Sequence, residues 1–237
     1  MKKIAIITAR GGSKRIPRKN IKNFCGKPII AYSIETALTS NIFDEVMVST
    51  DDVEIAEIAQ SYGAKVPFYR SEEMSDDMAL TAPVLIEVLN EYEKMGHVFE
   101  YCTCIYPTAP FITSTKLHQA MDLLINSGAD SVLPVVKFSY PPQRGLVIRD
   151  NKAQMFYPEY YIARSQDLEP LYHDCGQFYC LKSSTLKKEI SLFCGITIPI
   201  ITSELEMQDI DNEEDWKIAE MKYQLINKNN FKNIISP

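Results

Sequence analysis

Ile4-Ala5-Ile6-Ile7-Thr8-Ala9-Arg10-Gly11-Gly12-Ser13-Lys14-Arg15-Ile16-Pro17-Arg18-Lys19-Asn20 is the stretch from which the fold is read. A short apolar run leads directly into a glycine-bearing loop with five cations, Arg10, Lys14, Arg15, Arg18 and Lys19. The run predicts a buried strand. Gly11-Gly12 would let the backbone come close to a ligand and turn its N–H groups toward it. Lysine brings point charge, and arginine adds planar, bidentate phosphate contacts. The whole chain has a net charge of −6, so this basic cluster runs against the composition. A solvated basic loop is the plain alternative. Position favours a phosphate site, because the loop follows the first strand of an α/β pattern, where ligands bind. Such a loop would suit a triphosphate. The sequence contains neither Gly-x-x-x-x-Gly-Lys-Ser/Thr nor Gly-x-Gly-x-x-Gly, which argues against a P-loop and against a dinucleotide fingerprint.

Outward from this stretch, strand and helix patterns alternate. Ile4–Thr8, Val46–Thr50, Val66–Tyr69, Tyr101–Tyr106 and Ser131–Val136 are short, apolar and rich in β-branched or aromatic residues, as buried parallel strands are. Pro28 suits the first turn of a helix running to Thr39. Asp51 with Glu54 resembles a capping box opening a helix to Tyr62. Val84, Leu85, Val88, Leu89 and Tyr92 share one helical face, and Leu117, Ala120, Met121, Leu124 and Ile125 share another. This alternation predicts an α/β fold with right-handed crossovers and an open, mostly parallel sheet. Residues 137–174 break the pattern. They carry prolines, tyrosines and short extended pieces at Leu146–Arg149 and Ala153–Tyr157, which reads as a β-rich arm inserted within a single domain spanning 1–237. An aromatic-rich arm is poorly stabilised alone and would suit packing on a second subunit. Strands resume at Gln177–Leu181 and Ile196–Ile201. A final helix is expected from Asn212 to Ile226, with a fraying Asn-rich tail after it.

The 237 residues are enough for one substantial core, and the apolar and charged fractions, 46% and 24%, are ordinary for a globular protein. The acidic balance argues against nucleic acid or a membrane surface as partner. No apolar stretch approaches the ~20 residues of a membrane helix, and the short run before the basic loop is unlike a signal peptide. Cys25, Cys102, Cys104, Cys175, Cys180 and Cys194 show no Cys-x-x-Cys spacing, so they read as free thiols of a reducing cytoplasm.

Asp209-Ile210-Asp211 is the second stretch with chemistry in it. Two carboxylates two apart in an extended segment point the same way and can share one hard cation. Asp211 with Glu214 also reads as a helix N-cap, and both roles stay open for it. A triphosphate brings Mg²⁺, which needs one or two protein carboxylates. Of the histidines, His97 and His118 read as surface residues. His173 beside Asp174 lacks a Ser or Cys nucleophile pattern and reads as structural or sugar-contacting. Trp216 reads as core. Lys19 reads as an exposed loop lysine that contributes little to packing.

Ala-Arg-Gly-Gly-Ser-Lys-Arg-x-x-x-Lys-Asn resembles the N-terminal motif of the cytidylyltransferases that activate nonulosonic acids, the CMP-sialic acid synthetases and their relatives. The resemblance covers most of the chain. Val48-Ser49-Thr50-Asp51 is similar to the family's second strand and turn. Arg70, with Ser71 through Asp77 after it, falls where the family places an arginine and a Ser/Asp-rich loop on the nucleotide. Tyr106-Pro107-Thr108-Ala109-Pro110 lies where many sialic acid members have Gln-Pro-Thr-Ser-Pro, and Met207–Asp211 is similar to the metal-binding segment. Tyr161–Leu168 and Tyr172–Tyr179 are similar to the subfamily that activates pseudaminic acid. Cys175-Gly176 stands where the sialic acid pattern has Asn-Gly.

The resemblance implies a Rossmann-like nucleotidyltransferase fold with helices on both faces of the sheet and a dimerisation arm. It implies an enzyme, a cytoplasmic homodimer, that joins CTP to a nonulosonic acid sugar, releasing pyrophosphate. Pseudaminic acid is the expected sugar; N-acetylneuraminic, legionaminic and deoxyoctulosonic acids are alternatives. A non-catalytic nucleotide-binding protein is the distant one. Ala9, Arg10, Gly11, Ser13, Lys14, Lys19, Asn20 and Arg70 would bind the nucleotide. Tyr106, Arg164 and Gln177 would bind the sugar, with a role across the dimer interface open to Arg164, and Asp209 and Asp211 would hold Mg²⁺. Arg10, Lys14, Lys19 and Asp211 would carry the catalytic charge.

Overall fold

Strand β1 (Lys3–Thr8) sits between two parallel neighbours, β4 (Glu45–Ser49) and β5 (Tyr101–Ile105), and its side chains alternate between two apolar layers. The computed structural model describes residues 1–235, with side chains through 227. Between β1 and β4 run a two-stranded hairpin, β2 (Asn23–Phe24) and β3 (Lys27–Pro28), and helix α1 (Ile29–Ser40). Helices α2 (Val53–Ser61) and α3 (Thr81–Lys94) lie between β4 and β5. Helix α4 (Ser114–Asn126) leads to β6 (Ser131–Lys137). The arm follows, with its hairpin β7 (Leu146–Arg149) and β8 (Lys152–Met155) and its return strand β9 (Tyr172–Asp174). Then come β10 (Phe178–Lys182), α5 (Ser183–Glu189), β11 (Thr197–Ile201) and α6 (Glu213–Ile235).

The main sheet has the order β11-β6-β10-β5-β1-β4, with β9 also on β6. β10 is antiparallel to both β5 and β6, and β11 is parallel to β6, so β1, β4, β5, β6 and β11 all run one way. Ala5 and Ile7 face α1, α2 and α4 through Ile30, Ile34, Ile55, Leu117 and Leu124. Ile4 and Ile6 face α3 and α5 through Leu85, Val88, Leu89 and Leu186. Helices therefore cover both faces, as the alternation of buried residues requires. Cys102 and Cys104 lie together in the second layer, and burial pushes the Cys102 thiol up to about 12. All six cysteines are free.

Several elements differ from the sequence expectation. Val66–Tyr69 is not a strand; Lys65 makes one parallel bridge with Met47 and the chain then leaves the sheet. Pro67 has no N–H to extend a ladder. The cap of α2 is Asp52, whose carboxylate accepts from Ile55 N at 3.0 Å, and not Asp51. The helix expected to end at Ile226 continues to Ile235; Ser236 and Pro237 lie outside the described residues. Trp216, 3% exposed, packs edge-on to Phe24, so it is core as expected. His173 turns its ring nitrogen to the Asp174 carbonyl and its face to Phe138, a structural arrangement.

Candidate active site

The C-terminal ends of β1 and β5 open into a cleft of about 600 Å³. Arg10, Ser13, Lys14, Arg15, Lys19 and Asn20 line one side, and Arg70, Thr81, Tyr106 and Thr108 line the other. The basic loop keeps its shape through its own polar groups. Ser13 Oγ donates to Ile16 O at 2.7 Å, and Asn20 Nδ2 donates to Arg10 O at 2.8 Å. Ala9 is buried and donates its N–H to Ser49 O at 2.9 Å, continuing the strand pairing into the loop. Gly11 N–H donates to Asp51 at 2.8 Å, which is the place Asp51 takes when Asp52 caps α2. A Cβ on Gly11 would come within 2.7 Å of the Asp52 carboxylate, so the glycine is required by close approach to the α2 cap. Arg18 locks the same corner through ion pairs with Asp52 and Glu54.

Arg70 is buried in the cleft, with Nε donating to Ser49 Oγ at 3.0 Å and an NH2 nitrogen to Ser49 O at 2.6 Å. Burial lowers its pKa, and Asp51 opposes the shift. Arg10 pairs with Asp77 at 2.9 Å, and Lys14 pairs with the other oxygen of the same carboxylate. Lys14 first, with Coulombic help from Lys14 and Arg10, holds the Asp77 carboxyl below the usual range. A carboxylate of the 71–80 loop thus lies on two cations expected to meet phosphate.

Asp209 and Asp211 are brought to the loop by three contacts. Lys19 Nζ donates to Ile210 O at 2.7 Å, Arg15 pairs with Asp211 at 2.7 Å, and Lys22 pairs with Glu213 at 2.6 Å. From the other side, Lys222 donates to Met207 O at 2.9 Å. Lys19 is half-buried rather than exposed, because it reaches across to a second segment. Burial lowers its pKa; Asp211 pulls it back up, and Arg15 pushes it down again.

Asp211 is not the helix cap. Asn212 accepts from Glu214 N and Asp215 N at 2.8 and 3.0 Å, while Asp215 accepts from Asp211 N and Asn212 N. This reciprocal cap leaves the Asp211 carboxylate for Arg15. Desolvation, and then Asp211, raise the pKa of Asp209. Among the described residues Asp209 makes no ion pair, and no group of three or more His, Cys, Asp or Glu side chains gathers as a metal cluster. Two crowded carboxylates with only one paired to a cation fit a divalent ion that keeps several waters.

Two expected sugar residues lie away from the cleft wall. Gln177 is 1% exposed; its amide donates to Glu206 O at 2.7 Å and its Oε1 has no partner. Arg164 belongs to the arm, with a side chain 73% exposed, and pairs with Asp167 at 2.7 Å. Thr81 is a cleft residue outside the motif-derived set, whereas Asp77 closes the Ser71–Asp77 loop that the resemblance lays on the nucleotide. Thr81 opens α3, whose approach to the basic loop depends on tertiary packing.

Comparison with known proteins places this geometry. Residues 4–187 match the sequence profile of the cytidylyltransferase family. A pseudaminic acid cytidylyltransferase of Campylobacter jejuni is 40% identical over 232 residues, covering 98% of this chain and 100% of the relative. A CMP-N,N'-diacetyllegionaminic acid synthase of Legionella pneumophila is 33% identical, covering 95% of this chain and 97% of the relative. The solved structure of a CMP:2-keto-3-deoxy-manno-octonic acid synthetase complexed with CTP superposes with a TM-score of 0.68 at 17% identity, covering 96% of this chain and 100% of that one. It shares the fold. A profile match over most of the chain, together with full-length relatives, shows that this protein belongs to the cytidylyltransferase family and is a nucleotidyltransferase.

Proposed function

We propose that the protein joins CTP to pseudaminic acid, forming CMP-pseudaminic acid and pyrophosphate. The observation that carries this reading is the joining of the basic loop to the Asp209–Asp211 segment through Lys19 and Arg15, two cations that line the cleft. The pseudaminic acid cytidylyltransferase of C. jejuni, similar along its whole length, supports the choice of sugar. The anomeric hydroxyl oxygen forms a bond to the α-phosphorus of CTP. The bond from that phosphorus to the β-phosphate bridging oxygen breaks, pyrophosphate leaves, and the hydroxyl proton is lost to solvent. No covalent enzyme intermediate is needed; positioning and charge neutralisation dominate.

Arg10, Ser13, Lys14 and Lys19 hold the phosphates, and Arg70 meets the cytidine. Asp209 and Asp211 would hold Mg²⁺, whose charge would offset that of the triphosphate and favour ionisation of the sugar hydroxyl. Arg164 would serve the site of a second subunit, because its own cleft does not contain it. The arm's exposed Ile148, Phe156, Tyr161 and Ile162 support a homodimer built on this arm. Six free cysteines support a cytoplasmic location. Among the described residues no helix is long and apolar enough to cross a membrane.

A second reading keeps the chemistry and changes the sugar, and the L. pneumophila relative favours legionaminic acid as that alternative. Incubating the protein with CTP, Mg²⁺ and each acid sugar, and weighing the products by mass spectrometry, tests both. A CMP-sugar from pseudaminic acid supports the proposal; a CMP-sugar only from another acid replaces it.

A further inference from the structure

Behind the cleft wall lies a chain of polar groups that the nucleotide half of the site does not use. Tyr106 lines the cleft at the end of β5. Its backbone is pinned on both sides, its N–H donating to Gln177 O at 2.8 Å and its carbonyl accepting from Ser33 Oγ at 2.8 Å. Only the side chain is left to be placed. Its hydroxyl lies 3.2 Å from Thr81 Oγ1, and its ring packs on that of Tyr179 with centroids 5.5 Å apart. Tyr179 is buried in the wall, and its hydroxyl donates to Asp174 Oδ2. The other oxygen, Asp174 Oδ1, accepts from Gly176 N at 2.8 Å. Asp174 is thus held at one oxygen by backbone and holds Tyr179 with the other.

We propose that Asp174 is a positioning residue for the sugar half of the reaction, acting on Tyr106 through Tyr179. The inference rests on the reading that Tyr106 faces the acid sugar. A carboxylate only accepts, so the single Tyr179 proton is committed to Asp174. Burial first, and then Tyr106 and Asp174, push the Tyr179 hydroxyl well above the ordinary tyrosine range, so the proton stays on. This fixes the Tyr179 ring, and the fixed ring leaves Tyr106 one packing arrangement, with its hydroxyl at Thr81. Without the carboxylate, a buried hydroxyl has lost its acceptor and must find another. The Tyr106 hydroxyl is the neighbour it would turn to, since the two tyrosine hydroxyls already act on each other, and a stronger bond between them would compete with Thr81 and reshape the wall. Arg10, Lys14 and Arg70, on the nucleotide side, make no hydrogen bond to any member of this chain of groups.

The test uses the full-length enzyme with CTP and pseudaminic acid, measuring KM for each substrate, kcat and melting temperature. Asp174→Ala should lower kcat/KM for the sugar on the order of tenfold, through KM, with KM for CTP within about twofold of the parent. Asp174→Asn should recover most of the loss, because its NH2 can bond the Tyr179 oxygen while its carbonyl keeps Gly176. Tyr179→Phe, which removes only the hydroxyl, should match Asp174→Ala, and the double variant should be no worse than either single one. Three outcomes overturn the proposal: an unchanged sugar KM in Asp174→Ala and Tyr179→Phe, a parallel rise in both KM values, or losses that multiply in the double variant. Tyr106→Ala separates the two levels. If it leaves the sugar KM unmoved, the reading of Tyr106 falls and this proposal with it. If it raises the sugar KM while Asp174→Ala does not, only the positioning role of Asp174 falls.

Discussion

The Lys19 ammonium donates to the carbonyl oxygen of Ile210 at 2.7 Å, joining residues 191 apart in the chain. Ile210 lies between the two aspartates, so this bond, with the Arg15–Asp211 and Lys22–Glu213 pairs, holds the carboxylate pair to the basic loop. Lys19→Met should break it. Loss of a charge-assisted contact costs ~1.5–3 kcal/mol, so kcat/KM for CTP should fall roughly 10- to 150-fold. The half-buried lysine also loses its proton at lower pH than an ordinary lysine, chiefly through burial. The free enzyme should therefore show an alkaline fall in kcat/KM that moves to higher pH in Lys19→Arg, since arginine keeps its charge. A pH profile of the two proteins checks this.

The Asp77 carboxylate pairs with both Arg10 and Lys14, the cations proposed to hold the phosphates. The triphosphate would have to displace it, so its carboxylate competes with substrate. Asp77→Asn should lower KM for CTP several-fold without lowering kcat, and calorimetric titration with CTP should show the tighter binding. Weaker binding in Asp77→Asn would mean that the carboxylate assists the nucleotide instead.

The raised pKa of Asp209 makes a stability statement. When the folded pKa lies above the unfolded one, the stabilising contribution is complete at low pH and is lost as pH rises through the folded value. Above that folded value the ionised Asp209 beside Asp211 is therefore a net cost to the fold without metal. Asp209→Asn should raise the melting temperature of the metal-free protein while it weakens the Mg²⁺ dependence of the reaction. Metal titration of activity and a melting curve in excess chelator measure the two effects. Full activity of the parent and of Asp209→Asn in that chelator would exclude the metal role.

Ile162, 89% exposed on the arm, should be covered by a second subunit. Ile162→Lys would bury an unpaired charge there and should shift the protein toward monomer by light scattering at micromolar concentration. A parent protein that is already a monodisperse monomer would contradict the arm's role.

What the sequence revealed and what it hid divide along one physical line. β1 and its basic loop are legible because strand pattern, glycines and charges are contiguous. Asp209 and Asp211 are legible because an i, i+2 spacing in an extended segment is itself geometry. The distinction between Asp51 and Asp52 was not, since either could cap α2 until Gly11, forty residues earlier, claims one of them. Asp211 looked like a cap for the same reason, with Asn212 and Asp215 offering the better reciprocal pair. Val66–Tyr69 had strand-like composition, but one proline outweighed it. The antiparallel direction of β10, the place of Asp77 on Arg10 and the Asp174–Tyr179 bond are all long-range pairings. Local pattern carries no signal for them.

The central claim is the pairing of CTP with pseudaminic acid at this cleft, and pyrophosphate release measured side by side with pseudaminic and N-acetylneuraminic acids tests it most directly. Tyr106 offers one hydroxyl and a broad apolar face where an amide would both donate and accept, which suits the less hydroxylated sugar. The account predicts release with pseudaminic acid faster by orders of magnitude, as expected when a mismatched sugar leaves buried polar groups unpaired. Equal rates, or faster release with N-acetylneuraminic acid, would contradict it.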